Sequence, residues 1–232
     1  MVLLQVLALH LAGLGCAGCD RGGSSGRFSP GIDVSHYQGQ IDWSRVQSDD
    51  LAFAFVKATG GNDYADPTFP DNWVAAKRAG LLRGAYHFFH PKVSAEEQAT
   101  WFVEHLKADP GELPPAVDVE EYKEEYKDHS CADLLKALQK FVATVQRELQ
   151  KPVMVYTNAE TWDTSMCGSQ ALGTQPLWVA EYSRARTRPR LPKGFSGWAF
   201  WQFTPRGSES GISKRVDTDR FNGTLAELRS RW

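Results

Sequence analysis

The sequence predicts an α/β protein built as one irregular eight-stranded TIM-like (β/α) barrel, and three observations lead there. After residue 28, eight short apolar segments recur, separated by polar loops and amphipathic stretches. Several are nearly continuous in apolar residues, as strands covered on both faces are, so the sheet is expected to be parallel rather than a set of half-exposed hairpins. The chain has 232 residues, which suits a single barrel of roughly 200 to 250 residues better than two small domains.

The amino terminus differs in kind. Residues 1–19, MVLLQVLALHLAGLGCAGC, are apolar and run into small residues. The run is short and interrupted by Gln5 and His10, which suits an export signal better than a permanent spanning helix, although no Lys or Arg precedes it. Small residues before Cys16 and Cys19 resemble a bacterial lipoprotein signal, without its usual Leu three positions upstream; lipid anchoring and plain secretion both stay open. Residues 20–28, rich in Gly and Ser, read as a flexible tether, and residues 29–232 as the barrel.

The strand candidates are, in order, GIDVS at Gly31, LAFAFVKA at Leu51, LRGAYHFF at Leu82, PAVDVE at Pro115, PVMVYT at Pro152, LWVAEY at Leu177, WAFWQF at Trp198 and RVDTDRF at Arg215. Three helices are expected between them. FPDNWVAAKRAG ends at Gly80, where a left-handed C-cap suits glycine. Ser94 and Glu97 stand in capping-box register before a stripe of Ala99, Phe102, Val103 and Leu106. Ser130 and Asp133 do the same before Leu134, Leu138, Phe141, Val142, Val145 and Leu149. The connections after the sixth and seventh strands hold no helical pattern, so the last third of the barrel is expected to be irregular.

A formal net charge of -2, without a long Lys/Arg block, argues against nucleic acid as a partner. The one basic run, SRARTRPR from Ser183 to Arg190, reads as a solvated loop, with a polyanionic cell envelope as the weaker alternative. Membrane association is expected only through an N-terminal lipid, and the protein is read as a monomer. Cys131 and Cys167 form either a disulfide in an oxidising compartment or two free thiols. No metal or cofactor is expected. H-E-x-x-H is absent, His87 and His90 read as hydrogen-bonded loop residues, and TGGND at Thr59 lacks the Lys-Ser/Thr of a phosphate loop. There is no G-x-S-x-G elbow for a nucleophilic serine.

The chemistry is expected at the strand ends. Asp118 and Glu120 fall two apart on one face of a strand, roughly 6.5 to 7 Å along the backbone, at the carboxyl end that opens into a barrel mouth. Two partly desolvated carboxyls so close retain a proton between them, supplying an acid and an anion together, as glycosidic cleavage requires. Asp33 and Asp217 end the first and last strands, which are neighbours in a closed barrel, so four acids converge. Tyr86, Tyr156, Trp178 and Tyr182 at other strand ends offer aromatic walls for sugar, and Tyr37 and Gln202 are further lining candidates.

In order, GIDVSHYQGQIDW, FAFVKATGG, RGAYHFFHP, PAVDVE, VYTN, LWVAEY, FWQFT and VDTDRFNG resemble the strand-end motifs of glycoside hydrolase family 25, the muramidases first known from the fungus Chalaropsis. The resemblance runs from about Gly31 to Gly223. It implies an irregular barrel that hydrolyses the β-1,4 bond between N-acetylmuramic acid and N-acetylglucosamine in peptidoglycan. By the same resemblance Glu120 is the general acid, Asp118 its partner carboxylate, and Asp33 and Asp217 two further acids of the cleft; a retaining route assisted by the substrate's acetamido group is implied as well. Carboxyl spacing alone leaves retention and inversion open. One departure is Asp219, where many relatives carry Asn. Two other readings compete: a non-catalytic glycan-binding barrel, and a chitinase-like enzyme, whose D-x-x-D-x-D-x-E run is absent here. Export to the periplasm, envelope or medium follows from the signal and the substrate.

Overall fold

The computed structural model describes residues 27–46, 50–120, 126, 128–182 and 187–232. The proposed export signal with Cys16 and Cys19, most of the tether, and part of the basic run therefore lie outside the described residues.

All eight expected strands form and close on one another. In spatial order they are β1 (Ser29–Val34), β2 (Phe53–Gly60), β4 (Leu82–Phe88), β5 (Ala116–Asp118), β6 (Met154–Asn158), β7 (Leu177–Ala180), β8 (Phe200–Gly207) and β9 (Val216–Phe221), with β1 also paired to β2. A two-residue β3 (Tyr64–Ala65), which no sequence pattern marks, hangs on the end of β2 as a hairpin. The expectation of a parallel sheet needs one correction: β9 runs antiparallel to both β1 and β8. Only residues 208–215 separate β8 from β9, and a parallel crossover needs a dozen or more, so the chain must turn straight back. This hairpin is tied to the loop after β1. Gln38 Nε2 donates to the Arg215 carbonyl at 3.1 Å, and the Asp42 amide donates to the Gly211 carbonyl at 2.9 Å.

Alternate residues fill the barrel. Phe53 and Phe55 of β2 meet Phe200, Trp178 and Phe221 in an apolar cluster distinct from the outer core. Facing them are Gly31 on β1 and Gly84 on β4, where a Cβ would collide with the rings of Phe53 and Phe55 respectively. Large side chains from one strand thus occupy notches left by small ones, as a narrow barrel requires.

Outside, helices α2 (Phe69–Arg78), α3 (Ala95–Leu106) and α4 (Cys131–Leu149) cover the parallel strands, joined by short α1 (Trp43–Val46), α5 (Ala159–Ser165) and α6 (Leu225–Arg231). The expected start signals operate: Ser94 accepts from the Glu97 amide and Ser130 from the Asp133 amide. Gly80 has φ +82°, with its amide on the Lys77 carbonyl and that of Leu81 on the Ala76 carbonyl, the paired bonds of a Schellman cap. The anticipated stripes on α3 and α4 are buried apart from Leu149, which is half-buried. No helix joins β7 to β8 among the described residues. Cys131 and Cys167 are disulfide-bonded, linking the start of α4 to the segment after α5. Among the described residues no helix is long and apolar enough to cross a membrane.

Gly84→Ala is expected to destabilise the protein by roughly 1–3 kcal/mol in urea denaturation, since the ring it meets is locked inside the barrel. Gly197→Ala, with open space around its Cβ position, is the matched control and should change stability by under about 0.5 kcal/mol.

Candidate active site

The carboxyl ends of the parallel strands surround a cleft of about 500 Å³. All ten residues singled out in the sequence line it: Asp33, Tyr37, Tyr86, Asp118, Glu120, Tyr156, Trp178, Tyr182, Gln202 and Asp217. The position of Asp217 has an unforeseen cause. It is the second residue of β9 rather than its end, and it reaches the mouth because β9 is reversed, which sets it opposite Asp33 in the ladder.

The acids fall into two groups. Asp118 closes β5, and Glu120 follows just beyond it. Asp118 is 6% exposed, and its Oδ1 has no hydrogen-bond partner. Burial pushes its carboxyl well above the usual range, the neighbouring Glu120 adds to this, and Lys57 opposes it. Glu120 is raised as well, first by burial, and is held back by the Tyr156 hydroxyl and by Lys57. Both carboxyls therefore resist ionisation, and the charge of one raises the cost of ionising the other.

The second group is Asp33, Asp217 and Asp219. Burial, followed by the charges of Asp219 and Asp217, lifts Asp33 well above its ordinary value. Asp217 is raised to about 6, by burial and then by Glu120, while its hydrogen bond with Asp33 lowers it. Asp219 is wholly buried and raised to about 8 by burial, against the opposing hydrogen bonds of Trp178 and Asp33. The hydrogen bond between Asp33 and Asp219 raises the first and lowers the second, as it does when Asp33 is the donor.

Gln202 ties the second group to the aromatic wall. Its Oε1 accepts from the hydroxyls of Tyr156 at 2.8 Å and Tyr182 at 2.7 Å, and its Nε2 donates to Asp33 Oδ2 at 2.7 Å. The aromatic residues sit at different depths. Tyr37 and Tyr182, 68% and 56% exposed, present their faces at the rim. Trp178 is 1% exposed, stacked on Phe55 with centroids 4.3 Å apart, and donates Nε1–H to Asp219 Oδ1 at 2.7 Å. It forms the floor and supports an acid rather than offering a sugar platform.

His87 is buried behind the wall, with Nδ1 2.8 Å from Thr59 Oγ1 and Nε2 3.2 Å from Gln98 Oε1; burial drops its pKa to about 3, so it is neutral. His90 does line the cleft. Lys57 lines it too and was not singled out in the sequence, although its spacing two beyond Phe55 and four beyond Phe53 places it on the inward face.

Folded Asp219 holds its proton to about pH 8, whereas the unfolded chain releases it near 4. The folded state binds more protons across that window, so this group's contribution to stability falls as pH rises through it. Asn at this position would keep an acceptor for Trp178 and has no charge to desolvate at any pH. Asp219→Asn is therefore expected to be more stable than wild type at pH 8, on the order of a few kcal/mol in urea denaturation, with the difference vanishing toward pH 4.

With the geometry in hand, comparison with known proteins identifies the fold's relatives. The model of "Glycosyl hydrolases family 25" matches residues 32–212, a stretch that ends before β9. Lysozyme M1 of Streptomyces globisporus is 36% identical over 205 residues, covering 85% of this chain and 69% of that one. The uncharacterized protein YegX of Escherichia coli K12 is 38% identical over 205 residues, covering 86% and 72%. The crystal structure of a bacterial lysozyme from Streptomyces coelicolor superposes with a TM-score of 0.81 at 34% identity, covering 87% of this chain and 95% of that one. Matched over most of its length in sequence and in barrel geometry, the chain belongs to glycosyl hydrolase family 25.

Proposed function

We propose that the protein is a muramidase that cleaves the β-1,4 bond between N-acetylmuramic acid and N-acetylglucosamine in peptidoglycan, with Glu120 as general acid and Asp118 as its partner. The observation that carries this reading is the carboxyl pair at the mouth, a buried Asp118 beside a half-buried Glu120, both lining the cleft and both raised by burial. An acetamido N–H of the substrate is a fitting donor for the part of the Asp118 carboxyl that faces the cleft. It would favour the Asp118 anion and leave the shared proton on Glu120.

From that state Glu120 protonates the leaving glycosidic oxygen as the acetamido oxygen attacks the anomeric carbon. Asp118 holds the N–H and stabilises the positive oxazolinium ring that forms. Water then opens the ring, with Glu120 taking its proton back as general base. Asp33 and Asp217 supply negative potential across the cleft, and the exposed rings of Tyr37 and Tyr182 suit the apolar faces of flanking sugars. Peptidoglycan lies outside the cytoplasm, and export is part of this proposal; the Cys131–Cys167 disulfide supports an oxidising compartment.

Wild-type protein should clear a peptidoglycan suspension, and mass spectrometry of the digest should find reducing ends on muramic acid. Glu120→Gln and Asp118→Asn should each slow clearing by roughly 10²- to 10⁴-fold without loss of fold. Wild type that binds the suspension and never clears it would overturn the enzymatic reading in favour of a binding barrel. Proton NMR of the first product should show the β anomer, and an initial α anomer would exclude retention.

A further inference from the structure

Among the described residues lining the cleft, Lys57 is the only lysine or arginine. Phe53, Phe55 and Lys57 alternate along β2, so the face that fills the barrel with two rings ends on an ammonium group. At the mouth Lys57 Nζ lies 4.8 Å from the ring centroid of Phe88, 5.8 Å from that of Tyr64 and 6.0 Å from that of Tyr86. It makes no ion pair with a carboxylate among the described residues. Ring faces attract a cation without neutralising it, so the charge remains in the field of the acids opposite.

The groups around Asp118 and Glu120 come from every side of the mouth. Tyr86 on β4 and Tyr156 on β6 flank the pair, and Tyr182 lies beyond β7. Burial pushes all three phenols above their ordinary values, so they stay neutral. Across the cleft, Asp33 on β1 and Asp217 on β9 add only like charge, and the His90 imidazole follows β4. Lys57 is the basic side chain among the described residues of this ring that favours an anion on either acid, and the Tyr156 hydroxyl acts in the same sense on Glu120. Without it, desolvation and like charge would be opposed only by the Tyr156 hydroxyl at Glu120, and the balance would move toward a doubly protonated pair, which has an acid but no anion.

We propose that Lys57 is a positioning residue of this cleft, whose ammonium is the counter-charge that keeps the Asp118–Glu120 pair at one proton and one negative charge. The proposal takes from the muramidase reading only what that pair is for.

The test is a carbon-13 NMR titration of the Asp118 and Glu120 carboxyls in wild type, Lys57→Met, Lys57→Gln and Lys57→Arg, alongside the pH dependence of peptidoglycan clearing. Both neutral variants should move the first ionisation of the pair to higher pH by about one unit, and the acidic limb of kcat with it, leaving KM within about twofold. Lys57→Arg should restore both within a few tenths of a unit. Carboxyl titrations that coincide with wild type in the neutral variants would overturn the proposal, as would a rise in KM alone with an unmoved profile. If wild type clears no peptidoglycan, the titration still reports on Lys57, and it is the assigned function that fails.

Discussion

Because β9 runs against both of its neighbours, the barrel closes with the start of one strand beside the end of another, and the mouth's composition depends on that reversal. In an all-parallel closure residue 217 would face the far end of the barrel. The antiparallel ladder pairs it with Asp33, and Asp219, two residues on, pairs with Gly31 and Gln202. Three acids from two adjacent strands are thereby held together in a volume mostly closed to water.

The cost of that concentration is visible in the direction of every shift. Asp33, Asp118, Glu120, Asp217 and Asp219 are all raised, burial being the leading cause for each. Buried carboxyls of this kind weaken a fold, and they are tolerated here because protonation spares the protein from holding all of them as anions. The Gln202 amide contributes by tying Asp33 to the hydroxyls of Tyr156 and Tyr182 through three directed hydrogen bonds instead of through charge. The same desolvation that penalises the fold makes the remaining charge effective on a substrate.

Much of the architecture is legible in the residue pattern, for reasons that also explain what is not. Near-continuous apolar runs mark the barrel strands because both faces of each are covered. The Ser94 and Ser130 caps mark helix starts because those hydroxyls have orphan amides to satisfy. Strand direction leaves no trace in a strand's own composition; the reversal of β9 was written instead in the short spacer before it. The two-residue β3 is too brief for any period to show. Lys57 is hidden by residue type yet exposed by parity, since it continues the alternation of Phe53 and Phe55. The depth of an aromatic is a different matter: strand-end position placed Trp178 in the lining, but only the packing on Phe55 and the bond to Asp219 reveal it as floor.

The tie between the β8–β9 hairpin and the loop after β1 bears on how the cleft meets its ligand. A two-stranded ribbon rising past a barrel rim would otherwise sway, and Asp217 stands near its base. The carbonyls of Arg215 and Gly211 are bonded to the segment that follows Asp33, so ribbon and loop support one another. The rim there is thus braced before anything arrives, and an incoming polymer would not have to surrender affinity to assemble that side of its own binding trough.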